Sequence, residues 1–428
     1  MEIAIIGGGF TGLTAAYQLT KAGHSVTVFE KETTLGGLAY GFRKKTWDWH
    51  IEGAYHHLFT NDRAIIGLIK ELDIEDKLII KRPITSTMWH EKFYQLDSPV
   101  NLFTFPGLSP IDKVRTAILL GFLKLFPFWR LLERFRTEQL LIAIGGKNAW
   151  KTLWEPLMYG KFHMYAPKIA ASWFWARIVK RTPSLCYIDG GFHTLIEALQ
   201  DRITAQGGVI RTGTPIEKIV QKKDRSIELT WKNGKQTFDR ILLTVPTPLA
   251  LRIMPALNGN YSNGLAEIPH VHAQVLIVET TRPILKNIYW LNVNDRTYPF
   301  LAAVAHTNFM DASHYGGKHL TYFGNYLPQG HPYLSFTKQE LLKTFMPYIR
   351  RLAESEGNVK ITDAFLFVGP FAQPVHELRY STRIPPIKTP VPHTYLANMD
   401  FVVPWDRGTN YAVELGITAA TAILSENA

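Results

Sequence analysis

The first thirty residues restrict the fold more than any other stretch. A short apolar run ending at Ile6 passes directly into Gly7-Gly8-Gly9-Phe10-Thr11-Gly12. A helical pattern follows from Leu13 to Ala22, then a turn at Gly23-His24 and a second apolar run, Ser25 to Phe29, that ends in Glu30. The order is strand, glycine turn, helix, strand, acid. In such a unit Gly7 makes the tight turn, Gly9 lets the backbone approach a pyrophosphate, and Gly12 lets helix and strand pack closely. The helix N-terminus, starting at Phe10 and Thr11, offers free N–H groups and a positive dipole end to a diphosphate. Glu30, followed by Lys31, stands 18 residues after Gly12, where a carboxylate can accept hydrogen bonds from an adenosine ribose. A lone glycine turn is a weak signal. Strand, helix and acid agree here, and the reading is a dinucleotide site rather than a bland turn.

At 428 residues the chain is comfortable for two domains, and 46% apolar with 19% charged residues gives it a large core. The net charge of +11 suits nucleic acid, an anionic membrane surface or a phosphorylated substrate. No lysine-rich tail or nucleic-acid motif is present, so nucleic acid ranks last. One cysteine, Cys186, excludes an internal disulfide, a CxxC pair and a multi-cysteine metal site. His270 and His272 share a strand face, but no third ligand is evident and no metal is expected. The run from Ile3 to Ile6 is too short for a signal peptide, and a cytoplasmic protein is expected.

Further along, Asp62 to Leu72 has helical spacing with Asp62 as a cap, residues 84–97 read as a hairpin around His90-Glu91-Lys92, and Pro99 to Pro110 reads as loop. Lys113 to Leu141 is helical, interrupted at Pro127. Its apolar part is shorter than the roughly 20 residues that span a bilayer. Flanked by Lys113, Arg115, Arg130, Arg134 and Arg136, the stretch 113–136 could lie peripherally on a membrane, although an ordinary core helix is the simpler reading. Residues 194–245 read as helix, strand, a hairpin turning at Asn233-Gly234, and a buried strand. From about 256 to 380 alternating strands with one helix, Thr337 to Ala353, suggest an antiparallel sheet. The fold class is α/β: a discontinuous Rossmann-like domain (1–80, 186–255, 385–428) with an inserted α+β substrate domain, comprising a helical block and an antiparallel sheet (81–185, 256–384).

A second glycine pair, Gly36-Gly37-Leu38, follows the ribose acid, and near the C-terminus Asn398-Met399-Asp400 precedes Pro404-Trp405-Asp406-Arg407-Gly408-Thr409-Asn410-Tyr411-Ala412. Both stretches, with Tyr55-His56-His57, resemble the flavin-containing amine oxidase and protoporphyrinogen oxidase superfamily. The resemblance implies FAD, held non-covalently since Cys186 lies far from the place of a flavin-bearing cysteine. It implies backbone contact to adenine near Ile216, and phosphate contact at the position of Leu38, where many members have Arg. It implies a ribityl contact at Asn398-Met399, and a helix N-terminus at Asn410, Tyr411 and Ala412 aimed at N1 and O2 of the flavin ring. A helix N-terminus there stabilises the negative charge of reduced flavin.

Candidates facing the flavin are one of His56 and His57, which alternate on a strand; His306 at the end of a strand; and Trp405 and Arg407 before the final helix. The function read from this is an FAD-dependent oxidoreductase that passes hydride from a C–H or C–N bond of a small-molecule substrate to flavin N5. Two alternatives stand beside it. One is a non-redox flavoenzyme resembling UDP-galactopyranose mutase, which the histidine-rich segment and basic charge would suit. The other is a non-catalytic membrane-associated flavoprotein. Substrate, electron acceptor and oligomeric state have no signature in the sequence.

Overall fold

The computed structural model describes residues 1–353, 357 and 359–426. At its centre lies a five-stranded parallel sheet in the order Val209–Arg211, Ser25–Phe29, Glu2–Ile6, Arg240–Leu243, Thr394–Leu396. The first strand pairs on both sides, with Ile3 opposite both Val26 and Arg240. Its alternation divides the core. Ile3 and Ile5 pack with Leu13, Ala16, Leu195 and Leu199 from the helices Phe10–Lys21 and Phe192–Ala205. Ala4 and Ile6 face Ile219, Leu229 and Phe238 from a separate three-stranded sheet, Ile216–Gln221, Ile227–Trp231 and Gly234–Phe238. A strand buried on both faces reads as a continuous apolar run, and that is what residues 3–6 show.

The second large sheet has seven strands in the order Ile361–Pro374, His270–Thr280, His319–Pro328, Ala302–Ala305, Ile288–Val293, Ile84–Trp89, Lys92–Gln95. It is antiparallel except where Ile288–Val293 runs parallel to Ile84–Trp89. That junction corrects the expectation of a purely antiparallel sheet: the hairpin Ile84–Gln95 comes from the mainly helical segment and extends the sheet edge.

Three local readings change. Pro99–Thr104 is a helix, not loop: the Ser98 side chain accepts from Asn101 N–H, and Pro99 occupies the first helical position, which lacks a hydrogen-bond duty. Asp62 does not cap the helix Arg63–Glu71; its carboxylate accepts from Phe59 N–H at 2.8 Å instead. His56 and His57 precede the short strand Leu58–Phe59 rather than lying within one.

The helix Pro110–Leu125 buries Thr116, Leu119 and Leu123 and turns Ile111, Val114, Ile118 and Leu125 to solvent. Among the described residues, nine of the fifteen exposed large apolar side chains fall between Val100 and Phe135. No helix of the described residues is long and apolar enough to cross a membrane.

Candidate functional site

The glycine turn has the geometry a diphosphate requires. Gly7 adopts φ +115°, a conformation that favours glycine. A Cβ on Gly12 would lie 2.0 Å from the Gly7 carbonyl oxygen, so nothing larger fits beneath the turn. Beyond Gly9 the space is open: an added Cβ would meet nothing nearer than Gly37 Cα at 3.9 Å. Gly9 and Gly36 form a bridge, Gly36 N–H donates to the Gly8 carbonyl at 2.8 Å, and Gly36 and Gly37 both take positive φ, so the two glycine stretches make one cradle. Glu30 is buried beside it and accepts from Gly8 N–H at 2.7 Å and from Glu32 N–H at 2.9 Å. Thr244, which carries no motif signal, clamps the turn by donating to the carbonyls of Ile6 (2.9 Å) and Gly7 (3.1 Å). Thr214 N–H donates to the Glu30 carbonyl, which brings the start of the Ile216 strand beside the ribose acid. Lys31 is exposed and pairs with Glu32; Leu38 packs on the second sheet with Val271, Ala273 and Tyr326.

The final helix, Thr409–Ser425, lies against the first. A Cβ on Gly416 would meet the Thr11 carbonyl at 2.6 Å. At 1.5 Å per residue the Thr409 end lies about 10 Å along the final helix from that crossing. Tyr411 and Ala412 N–H both bond to the Gly408 carbonyl, leaving Thr409 and Asn410 N–H as the free donors of this terminus among the described residues. The Asn410 side chain is engaged elsewhere: its Oδ1 accepts from Ala64 N–H (3.0 Å) and Ile65 N–H (3.2 Å), capping the helix that Asp62 leaves uncapped. Asn398 donates to the Val245 carbonyl and Thr247 and accepts from Asp400 N–H. The Asp400 carboxylate is held by Thr247 (2.5 Å) and by His270 (2.7 Å), leaving the half-buried Met399 at the corner.

His56 Nδ1 lies 2.7 Å from the Ala54 carbonyl, and its ring contacts Phe192, which in turn contacts Phe10 at the glycine turn. His57 Nδ1 lies 3.2 Å from the Tyr289 hydroxyl. Burial pushes both histidines down, His56 to about 4 and His57, with His56 adding, to about 3, so both are neutral at neutral pH. Beneath them Glu52 is fully buried, accepting from Tyr187 O–H and from Phe192 N–H, each at 2.8 Å. Burial raises its carboxyl to about 7. His306 lies behind this layer, bonded to the Tyr315 hydroxyl at 2.6 Å and enclosed by Tyr187 and Tyr322. Among the described residues its hydrogen bond and ring contacts go to Tyr315, Tyr187 and Tyr322 rather than to Trp405 or Arg407.

Trp405 is stacked between Trp175 (5.5 Å) and Tyr411 (5.9 Å). Its neighbour Asp406 accepts from Lys161 (3.3 Å), Arg177 (2.6 Å) and Trp173 Nε1 (3.0 Å). Burial works to raise the Asp406 carboxyl, but Lys161 and Arg177 override it and hold it well below the usual range. Arg407 lies over the Tyr326 ring at 4.8 Å. The structure thus gathers His56, Trp405, Arg407, Asn410 and Tyr411 at one end, and Gly7, Gly9, Gly12, Glu30, Gly36, Gly37 and Ile216 at the other. No group of three or more potential ligands for a metal occurs among the described residues.

The model for flavin-containing amine oxidoreductases matches residues 10–424 of the chain. A probable zeta-carotene desaturase of the cyanobacterium Synechococcus elongatus is 25% identical over 280 residues, covering 55% of this chain and 53% of that protein. The chain spans about half the length of the carotene desaturases it matches. Among solved structures, a chain from Exiguobacterium provisionally named a protoporphyrinogen oxidase superposes with a TM-score of 0.76 at 18% identity, covering 99% of both. Reduced UDP-galactopyranose mutase gives 0.76 at 16% identity, covering 99% of this chain and 95% of that one. Both share the fold.

Proposed function

Because the chain belongs to the flavin-containing amine oxidoreductase family, we propose that it is an FAD-dependent oxidoreductase that removes a hydride from a C–H or C–N bond of a small-molecule substrate. One arrangement carries the reading: an open diphosphate cradle at Gly9 and Gly37, and a helix N-terminus at Thr409 about 10 Å along the final helix from where it crosses the first. When bound, flavin supplies the hydride-accepting chemistry at N5. The chain's part is to bind and to orient. Glu30 meets the ribose, the cradle takes the diphosphate, and Thr409 and Asn410 N–H stabilise negative charge at the ring. Neutral His56 and His57 act as hydrogen-bonding groups rather than as cations. Binding is non-covalent: Cys186 is fully buried inside the core strand Leu185–Ile188.

The experiment is anaerobic. FAD-loaded protein is mixed with a panel of amines, isoprenoids and nucleotide sugars, and the flavin band near about 450 nm is followed. Bleaching by one class supports the reading. Turnover of a nucleotide sugar only after flavin pre-reduction, with no net redox, would replace it with mutase chemistry.

The exposed apolar face of Pro99–Phe135 extends the proposal to where the protein works. Leu125 is 84% and Phe128 68% exposed, with Lys124, Arg130, Arg134 and Arg136 exposed around them. An apolar face rimmed by cations fits the surface of an anionic bilayer. Co-sedimentation with phosphatidylserine vesicles, lost on replacing Leu125 and Phe128 by Asp, is the expected result; equal recovery of both proteins in the supernatant contradicts it.

A further inference from the structure

Five cationic side chains converge beside the histidine segment from elements far apart in sequence. Lys161 ends the helix Glu155–Phe162, Arg177 and Lys180 lie on the helix Ala171–Lys180, Arg181 caps it, and Arg407 precedes the final helix. One half-buried acid, Asp406, serves Lys161 and Arg177. Among the described residues Arg181 and Arg407 make no ion pair with any carboxylate. Lys180 acts through space on the Asp62 carboxylate, which itself accepts from Phe59 N–H.

These charges lie on rings rather than in bulk water. Lys180 Nζ stands 4.5 Å from the Trp405 ring centre and 5.7 Å from that of Tyr411, and Arg407 lies over Tyr326. Lys161 and Arg407 share the Tyr326 ring, at 5.0 and 4.8 Å, and Arg177, which shares Asp406 with Lys161, acts through space on both Arg407 and Arg181, so the cations are neighbours. Arg181 titrates down to about 10 through desolvation and the neighbouring Arg177. At that value it keeps its charge at neutral pH, as does Arg407, also pushed by burial to about 10. Holding such cations together without acids costs free energy unless an anion joins them.

We propose that Arg177, Lys180, Arg181 and Arg407 bind a phosphate or diphosphate group carried by the substrate. The surplus of positive charge over the single carboxylate of Asp406 suits a multiply charged phosphate better than a single carboxylate. The glycine cradle serves the phosphates of FAD, so this second cluster is for a different molecule. Stacked Trp175, Trp405 and Tyr411 give the uncharged part of that molecule an aromatic wall. The assignment of that molecule as the substrate rests on the oxidoreductase reading.

The test titrates FAD-loaded protein with inorganic pyrophosphate at low salt, by calorimetry and by perturbation of the flavin spectrum. The wild type should bind saturably, with affinity falling as salt rises, and Arg181→Gln and Arg407→Gln should each weaken it by about tenfold or more. Arg181→Lys should recover part of the loss, while FAD content stays unchanged in both Arg181 variants. Succinate, the carboxylate control, should bind more weakly than pyrophosphate. The proposal is overturned if loaded protein shows no saturable binding, if the Gln variants bind like the wild type, or if succinate binds as tightly. A chain that takes up no FAD sinks the oxidoreductase reading instead, and the same variants still decide the anion site.

Discussion

Replacing Asn410 by Ala should expose how the two halves of the cofactor site are tied together. Asn410 is 4% exposed, and its Oδ1 serves two donors at the start of the helix Arg63–Glu71, Ala64 N–H and Ile65 N–H. Removing a helix cap costs roughly 1 kcal/mol, and a buried donor left without a partner costs roughly 1–3 kcal/mol. Ile65 is fully buried, whereas Ala64 is half-buried and water can replace its partner. The expected loss is therefore about 2–3 kcal/mol. Asn410→Asp keeps the acceptor and adds negative charge at a helix N-terminus, so it should stay within about 1 kcal/mol of wild type. Urea unfolding of the FAD-loaded proteins measures both. The backbone N–H of residue 410 survives in either variant, so the flavin spectrum at saturation should not move. An Asn410→Ala protein as stable as wild type, or an Asn410→Asp protein as weak as the Ala variant, refutes the reasoning.

Three further outcomes follow from the same structure. Glu52 moves from an ordinary 4.5 to about 7 on folding, so the native state holds its proton more tightly than the unfolded chain. Wild-type stability should fall as pH rises from about 4.5 to 7 and level off above, by up to about 3 kcal/mol, and Glu52→Gln should flatten that part of the profile. Parallel profiles for the two proteins count against it. Gly12→Ala, with its Cβ 2.0 Å from the Gly7 carbonyl, should destabilise by about 3 kcal/mol or more in denaturant, because backbone would have to move. Gly9→Ala meets only Gly37 Cα at 3.9 Å and should fold normally while binding FAD at least about tenfold more weakly in a fluorescence titration.

What could be read from the sequence was local. The strand, glycine turn, helix and acid at residues 2–30 involve contacts short in sequence, and Gly7, Gly12 and Glu30 stand where such a unit needs them. The alternating strands of the second sheet were legible for the same reason, since a period of two is visible in a single segment. The parallel junction between Ile288–Val293 and Ile84–Trp89 was not, because pairing partners about 200 residues apart leave no mark on either segment. Asn410 shows the limit most clearly. Its place before the final helix could be seen, but its bond to a helix 345 residues away could not. The cations are a similar case: Lys161, Arg177, Lys180 and Arg407 look like scattered surface charges until the fold brings them to Asp406, Tyr326 and Trp405. The neutrality of His56 and His57 follows from burial, which the residue order does not state.

The most direct measurement is FAD binding by the folded chain compared with Gly9→Ala. The account predicts one FAD per wild-type chain, released intact on denaturation, with the resolved flavin band near about 450 nm, and a folded Gly9→Ala protein that loads poorly. A folded wild-type chain that stays colourless in excess FAD, or a Gly9→Ala protein that loads as well as wild type, would contradict it.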